Sequence, residues 1–333
     1  MGTDETLAVL SNNLVYASML AYTVSMVAFA VSFASGRGRS DGSAAVRADA
    51  AVAQSAAGSD PGAVATLERT APAEGREPGR RAGNVAMSVM WLGAVLLLGA
   101  VVARGLSAGR VPWGNMYEFS LTSALGISLT FLVLSLRRDL RWLGLFVVIP
   151  ILLTLGVAIA VLYTDSAPLV PALKSWWLVI HVSAAIICGG AFTLGAAVTV
   201  LYLMVARVDR RVAADIDPGW MAAVARRVPS ADRLDQLSYR INAFVFPLWT
   251  FAVIAGAIWA ESAWGRYWGW DPKETWAFIT WVVYAAYLHA RATAGWKGQR
   301  AAIVGLAGFG CFLFNYFGVN LFIAGLHSYS GVK

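Results

Sequence analysis

The chain has 333 residues, of which 58% are hydrophobic and only 14% charged, with a net charge of +7 and a mean hydropathy of +0.62. Because a soluble domain of average make-up carries about 25% charged residues, this composition argues against a water-soluble enzyme. The basic excess does not indicate nucleic acid as a partner, since Lys and Arg in the loops of a membrane protein set its orientation.

Apolar runs of about 20 residues predict membrane-spanning helices. In chain order, the sequence predicts about eight spans, at 7–34, 85–103, 119–136, 142–163, 176–206, 241–260, 276–293 and 301–325. The predicted fold is therefore an all-α polytopic membrane protein.

Residues 35–84 differ from the rest of the chain, because they are mainly Ala, Gly, Ser, Pro and Arg and include no aromatic residue. Such a segment cannot bury enough apolar surface to fold alone, so we expect a long, flexible and disordered linker. The sequence thus predicts three parts, which are a first transmembrane helix over 1–34, the linker over 35–84 and a seven-helix membrane domain over 85–333.

The distribution of Lys and Arg predicts the orientation of these helices. If the N-terminus is outside, the inner loops hold 20 of the 26 basic residues and the outer side holds six. Basic residues favour the cytoplasmic side, so both termini are predicted outside a bacterial cytoplasmic membrane and the linker inside. The polar motifs at 112–118 and 261–275 and the C-terminal His327 then share the extracytoplasmic face.

The chain contains three histidines, His181, His289 and His327. The predicted topology places His181 and His327 near the outer face and His289 in the inner half of the membrane. Each alone is as compatible with packing as with function, but ionisable groups inside a membrane are functional candidates because their burial is costly. Two outer imidazoles on different helices match the two axial ligands of a haem iron, whereas His289 supplies at most half of such a site.

The segment Trp264–Trp276 is rich in Trp and carries Gly265 and Gly269, which permit close backbone approach. Asp271, Pro272 and Glu274 predict a helix N-terminus with a capping box, which gives Asp271 a structural role. Asp271 is also a candidate catalytic residue. The aromatic residues suit either a membrane-interface belt or a platform for a flat hydrophobic ring. Those concerned are Trp264, Tyr267, Trp268, Trp270 and Trp276. If these residues bind a flat ring that has an anionic edge, such as a propionate, Arg266 or Lys273 pairs with that edge. Otherwise each of the two is a solvated charge.

This segment resembles the tryptophan-rich WWD signature of haem-handling proteins, and Asp271–Trp276 is similar to the CcsA/ResC branch of System II cytochrome c biogenesis. The resemblance extends over about 85–330. It also rests on Pro112–Glu118, Trp177–His181, Trp281–His289 and Asn315–Tyr329.

The resemblance implies roles for these residues. His181 and His327 are implied as axial ligands of haem b, with Asp271 beside them and Trp264, Tyr267, Trp268 and Trp270 as the platform. His289 is implied as the membrane histidine that holds haem on its way outward, together with a histidine of a CcsB/ResB-type membrane partner.

The family function implied is that of a cytochrome c synthase subunit, which positions haem for thioether attachment to the CxxCH motif of apocytochrome c. The nucleophiles then belong to the substrate, in keeping with a chain whose Cys188 and Cys311 form no CxxC pair. A thioredoxin-like reductant of the substrate thiols is a further expected partner, and membrane lipid is the surrounding medium.

Three alternatives remain open from the sequence. The first is a haem exporter or chaperone that delivers haem without forming a bond. The second is a secondary transporter for a small anion, although the repeats common in transporters are not evident between 85–205 and 240–330. The third is a structural scaffold of a respiratory complex, which leaves the histidines and the Trp-rich loop without a role.

Overall fold

The computed structural model describes residues 4–35, 77–166, 174–293 and 295–327, and the elements within these ranges are helices. In chain order they are α1 (Glu5–Ser35), α2 (Glu77–Ala108), α3 (Met116–Arg137), α4 (Arg141–Ala160), α5 (Trp176–Ala213), α6 (Met221–Ala225), α7 (Ala231–Trp264), α8 (Pro272–Ala292), α9 (Gln299–Leu313), a π-helical turn (Phe314–Gly318) and α10 (Val319–Phe322). The prediction of an all-α polytopic membrane protein is confirmed.

Seven helices of the described residues are long and apolar enough to cross a membrane. They are α1 to α5, α7, and the continuous run from α9 through α10. The remaining predicted span corresponds to α8, whose 21 residues reach about 30 Å, enough to cross the hydrocarbon core. Charged and polar residues such as Lys273, Glu274 and Arg291 make α8 less apolar than the other seven.

Several helix boundaries differ from the sequence-based expectation, and two of them bear on the linker and the Trp-rich loop. Helix α2 begins at Glu77, so its first turns lie inside the segment expected to be linker, whereas residues 36–76 of that segment lie outside the described residues. Helix α7 continues to Trp264 and ends at Gly265, whose φ of 69° is the left-handed cap that glycine favours. Trp264 is therefore helical and not part of the loop.

Helices α1 and α2 pack along a stripe of small polar residues on α1. Ser11, Ser18 and Ser25 recur every seven residues and are buried. The hydroxyl of Ser11 donates to the carbonyl of Ala100 at 2.8 Å, and that of Ser25 donates to the carbonyl of Ala86 at 2.9 Å. Small residues and interhelical hydrogen bonds stabilise membrane helix pairs, for which the hydrophobic effect supplies little attraction.

The helix ends form two chemically different faces. At one end, Ser107 contacts Asp4, His327 contacts Asp271, and residues of the segments 110–118, 265–271 and 323–327 surround one cavity. At the other end, Arg141 donates to Asn84 and Arg227 donates to the carbonyl of Ala34. The alternation of the helices thus collects the polar motifs at one end of the bundle and these basic side chains at the other.

Candidate functional site

The site at the motif-rich end begins with a direct link between Asp271 and His327. Asp271 is the N-cap of α8, where it forms the predicted capping box with Glu274. Its Oδ2 lies 2.8 Å from Nδ1 of His327, and its Oδ1 accepts a hydrogen bond from the backbone N–H of Leu326 at 2.7 Å. One carboxylate therefore caps a helix and fixes the chain around the last histidine.

The protonation states of His327 and Asp271 follow from their burial and their hydrogen bonds. Burial lowers the pKa of His327 below its ordinary value, although the Asp271 carboxylate opposes this shift. Burial opposes ionisation of Asp271, but the hydrogen bonds from His327 and the Leu326 backbone outweigh it and lower the Asp271 pKa. A neutral imidazole that donates Nδ1–H to a carboxylate has a lone pair at Nε2, which is the arrangement typical of a metal-ligating histidine.

His181, on α5, is oriented in the same way by a different partner. Its Nδ1 lies 2.7 Å from the backbone carbonyl oxygen of Ala252 on α7, and because a carbonyl only accepts, Nδ1 carries the proton. Gly256, one turn further along α7, makes room for the ring, since a Cβ there would lie 2.8 Å from Nδ1. The imidazole thus also presents Nε2 as a ligand atom.

A single indole, that of Trp259, contacts both imidazoles. Its ring centroid lies 6.1 Å from that of His181, with planes 10° apart, and 5.7 Å from that of His327. Trp264 packs against both Trp259 and His327, at centroid distances of 4.9 Å and 5.0 Å. The structure therefore brings His181, His327 and Trp264 together around Trp259.

Trp259 was not among the residues predicted from the sequence, because it lies inside an apolar span and outside the Trp-rich loop. The available signal was helical periodicity, since Ala252, Gly256 and Trp259 recur on one face of α7. That face contacts His181, so a search along α7 for its partners would have found Trp259.

The two histidines and the indoles that contact them line a mostly apolar cavity. Its aromatic wall includes Trp113, Trp249, Trp259, Trp264, Tyr267 and Trp268. His181, His327, Lys273 and Glu274 also line it. Of the site residues proposed from the sequence, Trp270, Asp271 and His289 are not among the lining residues, and Asp271 is linked to the cavity by its bond to His327.

Trp270 lies at the edge of the site with its side chain 64% exposed. Its φ of 58° is unusual for a bulky residue and turns the backbone directly before the N-cap Asp271. The indole contacts Trp268 and Phe278, at centroid distances of 5.7 Å and 6.0 Å. Trp270 therefore continues the aromatic surface outside the cavity.

The two basic residues of the loop have different surroundings. Arg266 donates to Glu274 at 3.1 Å and lies over the ring of Trp264, so it is ion-paired rather than simply solvated. Lys273 lines the cavity, and its Nζ donates to the backbone carbonyl of Asn315 at 3.0 Å. That carbonyl belongs to the π-helical turn, a feature that is frequent at functional sites.

Two buried polar atoms of cavity-lining residues have no hydrogen-bond partner within the described part of the chain. They are Oδ1 of Asn315 and Nε1 of Trp249. Burying such groups without a partner is costly. Together with the ammonium of Lys273, they offer polar contacts to a ligand whose remaining surface is apolar.

His289 lies far along α8 from the cavity and is exposed on the outward face of the helix. Phe278 and Val282 are exposed on the same helix, at intervals that share one face with His289. The structure therefore does not bring His289 to the other two histidines.

A family model described as cytochrome C assembly protein matches residues 113–327, more than half of the chain, and its limits are Trp113 and His327 of this cavity. The chain belongs to the cytochrome c assembly protein family. This membership makes it a haem-handling membrane protein of cytochrome c biogenesis.

Curated relatives place the chain within the CcsA type of this family. The cytochrome c biogenesis protein CcsA of Synechococcus elongatus is 38% identical over 287 residues, covering 74% of this chain and 86% of the relative. CcsA of Synechocystis sp. is 39% identical over 293 residues, covering 73% and 86%. CcsA of Trieres chinensis is 36% identical over 258 residues, covering 71% and 83%.

Among solved structures, the cytochrome c haem lyase CcmF shares the fold, with a TM-score of 0.60 over 95% of this chain. The sequences are 15% identical, and the match covers 47% of CcmF. This chain therefore corresponds to about half the length of that protein, and the likeness concerns the fold alone.

Proposed function

We propose that the chain is the CcsA-type membrane subunit of a System II cytochrome c synthase, which moves haem b to the outer face and positions it for attachment to apocytochrome c. The observation that carries this proposal is the pairing of His181 and His327 at one cavity. Each has its Nδ1 engaged, by Ala252 and Asp271 respectively, and each contacts the same indole.

The residues present fit haem as the transported substrate. Two imidazoles oriented through Nδ1 supply nitrogen ligands of the kind that haem iron accepts. The aromatic, mainly apolar wall suits the flat faces of a porphyrin, and the donors of Lys273 and of Trp249 Nε1 suit its propionates. His181 and His327 are the proposed ligands, with Trp264, Tyr267 and Trp268 as the platform and Trp270 at its edge.

Haem bound at this site supplies two vinyl groups, and the apocytochrome CxxCH motif supplies two thiols. In each addition a carbon–sulfur bond forms at one vinyl carbon and the thiol proton goes to the other, so no oxidant is consumed. The chain contributes position and orientation, which convert a bimolecular step into one that is effectively intramolecular and lower its barrier by up to ~7–11 kcal/mol. Asp271 serves by orienting His327 and is not required to transfer a proton.

His289 belongs to an earlier step in this proposal. An ionisable side chain on the outward face of a membrane helix is costly in lipid, which favours cover by another protein. The proposed cover is a CcsB/ResB-type partner that supplies a second histidine, so that the pair holds haem before it reaches the outer cavity. A thioredoxin-like protein that keeps the CxxCH thiols reduced completes the proposed set of partners.

The proposed location is the bacterial cytoplasmic membrane, with the cavity on the extracytoplasmic side. The distribution of basic residues supports this orientation, because Arg141 and Arg227 lie at the end opposite the cavity.

The test is the visible spectrum and the thioether yield of the purified chain with its partner. We expect a low-spin bis-histidine spectrum in the wild type and loss of both spectrum and product in His181→Ala and His327→Ala. Added imidazole is expected to restore part of the product by filling the empty ligand position. If both variants mature cytochrome c at the wild-type rate without imidazole, the ligand assignment is wrong.

The same assay separates the proposal from a haem exporter. An exporter complex that shows the low-spin spectrum delivers haem to apocytochrome c without covalent product. Thioether formation by the purified complex supports the synthase, and bound haem with no covalent product supports the exporter.

A further inference from the structure

The loop that carries the WWD signature is held by one buried glutamate. Glu274 accepts hydrogen bonds from the backbone N–H of Gly269 at 2.8 Å and of Asp271 at 3.1 Å. It also forms an ion pair with Arg266, eight residues earlier, at 3.1 Å. We call residues 266–274 the first clamp loop, because this carboxylate closes it onto the start of α8.

Residues 110–118 repeat the same plan at the start of α3, and we call them the second clamp loop. Glu118 pairs with Arg110, again eight residues earlier, at 2.6 Å, and accepts the backbone N–H of Gly114 at 2.9 Å. Each glutamate follows its N-cap, Asn115 or Asp271, by three residues. Each loop also carries a Trp-Gly pair, Trp113-Gly114 in one and Trp268-Gly269 in the other.

The second clamp loop is held more firmly than the first. Glu118 is fully buried, at 0% exposure, and also accepts a hydrogen bond from Nε of the buried Arg104 at 3.2 Å. A carboxylate shared by two guanidinium groups, with both oxygens engaged, allows little movement of the segment that it holds.

Both clamp loops face the cavity. Trp113, Gly114, Asn115 and Met116 line it, as do Tyr267 and Trp268 of the first clamp loop. Trp113 packs against the apolar cluster that contains Trp259, which is also the cluster that Trp264 contacts. The cavity therefore has a wall from each loop, built by the same local device.

From this repetition we propose that the second clamp loop is a second binding wall for haem, in which Trp113 contacts the porphyrin and Glu118 is the positioning residue that holds Trp113 in place. The proposal rests on the proposed function for the identity of the ligand. It gives a role to the segment Pro112–Glu118, which neither the two histidine ligands nor the WWD segment explains.

The experiment measures transfer of haem from the purified complex to excess apomyoglobin. We expect Trp113→Ala to keep the low-spin spectrum, since both histidines remain, and to release haem about two- to tenfold faster, the change that one aromatic contact produces. Trp113→Phe should recover most of the wild-type rate. Trp176→Ala is the matched control, because Trp176 is 83% exposed and lies outside the cavity lining.

Glu118→Gln tests the positioning role. If Glu118 acts through Trp113, the double variant releases haem no faster than Trp113→Ala alone, whereas additive effects contradict that role. Should Glu118→Gln fail to accumulate, because it removes the carboxylate that pairs with two buried arginines, the Trp113 variants still decide whether the wall binds haem.

The outcomes distinguish this inference from the proposed function. If the wild-type complex shows no low-spin haem, the result contradicts both the proposed function and the second binding wall. A wild-type complex that shows the low-spin spectrum, with release from Trp113→Ala equal to that from Trp176→Ala, overturns the second wall alone.

Discussion

The imidazole Nδ1 of His327 lies 2.8 Å from the carboxylate Oδ2 of Asp271, although 56 residues separate them in the chain. The same carboxylate caps α8. The helix that follows the Trp-rich loop and the last histidine of the chain are thereby fixed to each other by one side chain.

The first prediction concerns the negative charge of Asp271. Asn is as good an N-cap as Asp, so Asp271→Asn should still start α8, but it removes the charge beside His327 and leaves either His327 or the Leu326 backbone without its acceptor oxygen. Loss of such a second partner typically lowers metal affinity about 10- to 100-fold. The measurement is haem affinity at the outer site, with Asp139→Asn, at the opposite end of the bundle, as the control.

The second prediction concerns pH. Because the folded protein holds His327 neutral with a lowered pKa, its contribution to the free energy of unfolding is complete above the unfolded pKa of about 6.5 and is lost as the pH falls towards the folded value. The melting temperature of the wild type should therefore fall as the pH drops below about 6.5. In His327→Gln this dependence should be smaller, and an equal slope in the two proteins contradicts the assignment.

The third prediction uses the space beside His181. Gly256→Ala would place a Cβ 2.8 Å from the imidazole, which has to move away from the Ala252 carbonyl. Ala favours a helix by about 1 kcal/mol over Gly, so we expect the variant to fold but to lose the low-spin haem spectrum. Gly310→Ala, with no heavy atom within 4 Å of the added carbon, is the control and should keep the spectrum.

The fourth prediction concerns the exposed histidine of α8. His289→Ala should reduce the amount of haem that copurifies with the complex, while the haem that does bind keeps the spectrum of the outer site, because His289 does not line the cavity. Pyridine haemochrome quantification beside the visible spectrum distinguishes these effects. If His289→Ala binds as much haem as the wild type, His289 does not take part in moving haem to the outer cavity.

Several features followed from local sequence because local forces determine them. The long apolar runs predicted the helices, since a membrane admits few other ways to satisfy backbone hydrogen bonds. The capping box at Asp271 was predictable because its partners lie within three residues. Counting the spans along the chain predicted that His181, His327 and the Trp-rich loop lie at the same end of the bundle.

The tertiary structure alone decided which side chains meet. Trp259 joins the two imidazoles only because α5, α7 and the chain after α10 pack together, and Asp271 meets His327 for the same reason. Glu118 and Glu274 hold their loops by the same hydrogen bonds, although the two loops share little sequence beyond the Arg and Glu eight residues apart, the N-cap spacing and a Trp-Gly pair. Helices form from neighbouring residues, but a site forms from contacts between distant ones, and packing of the whole bundle sets those contacts.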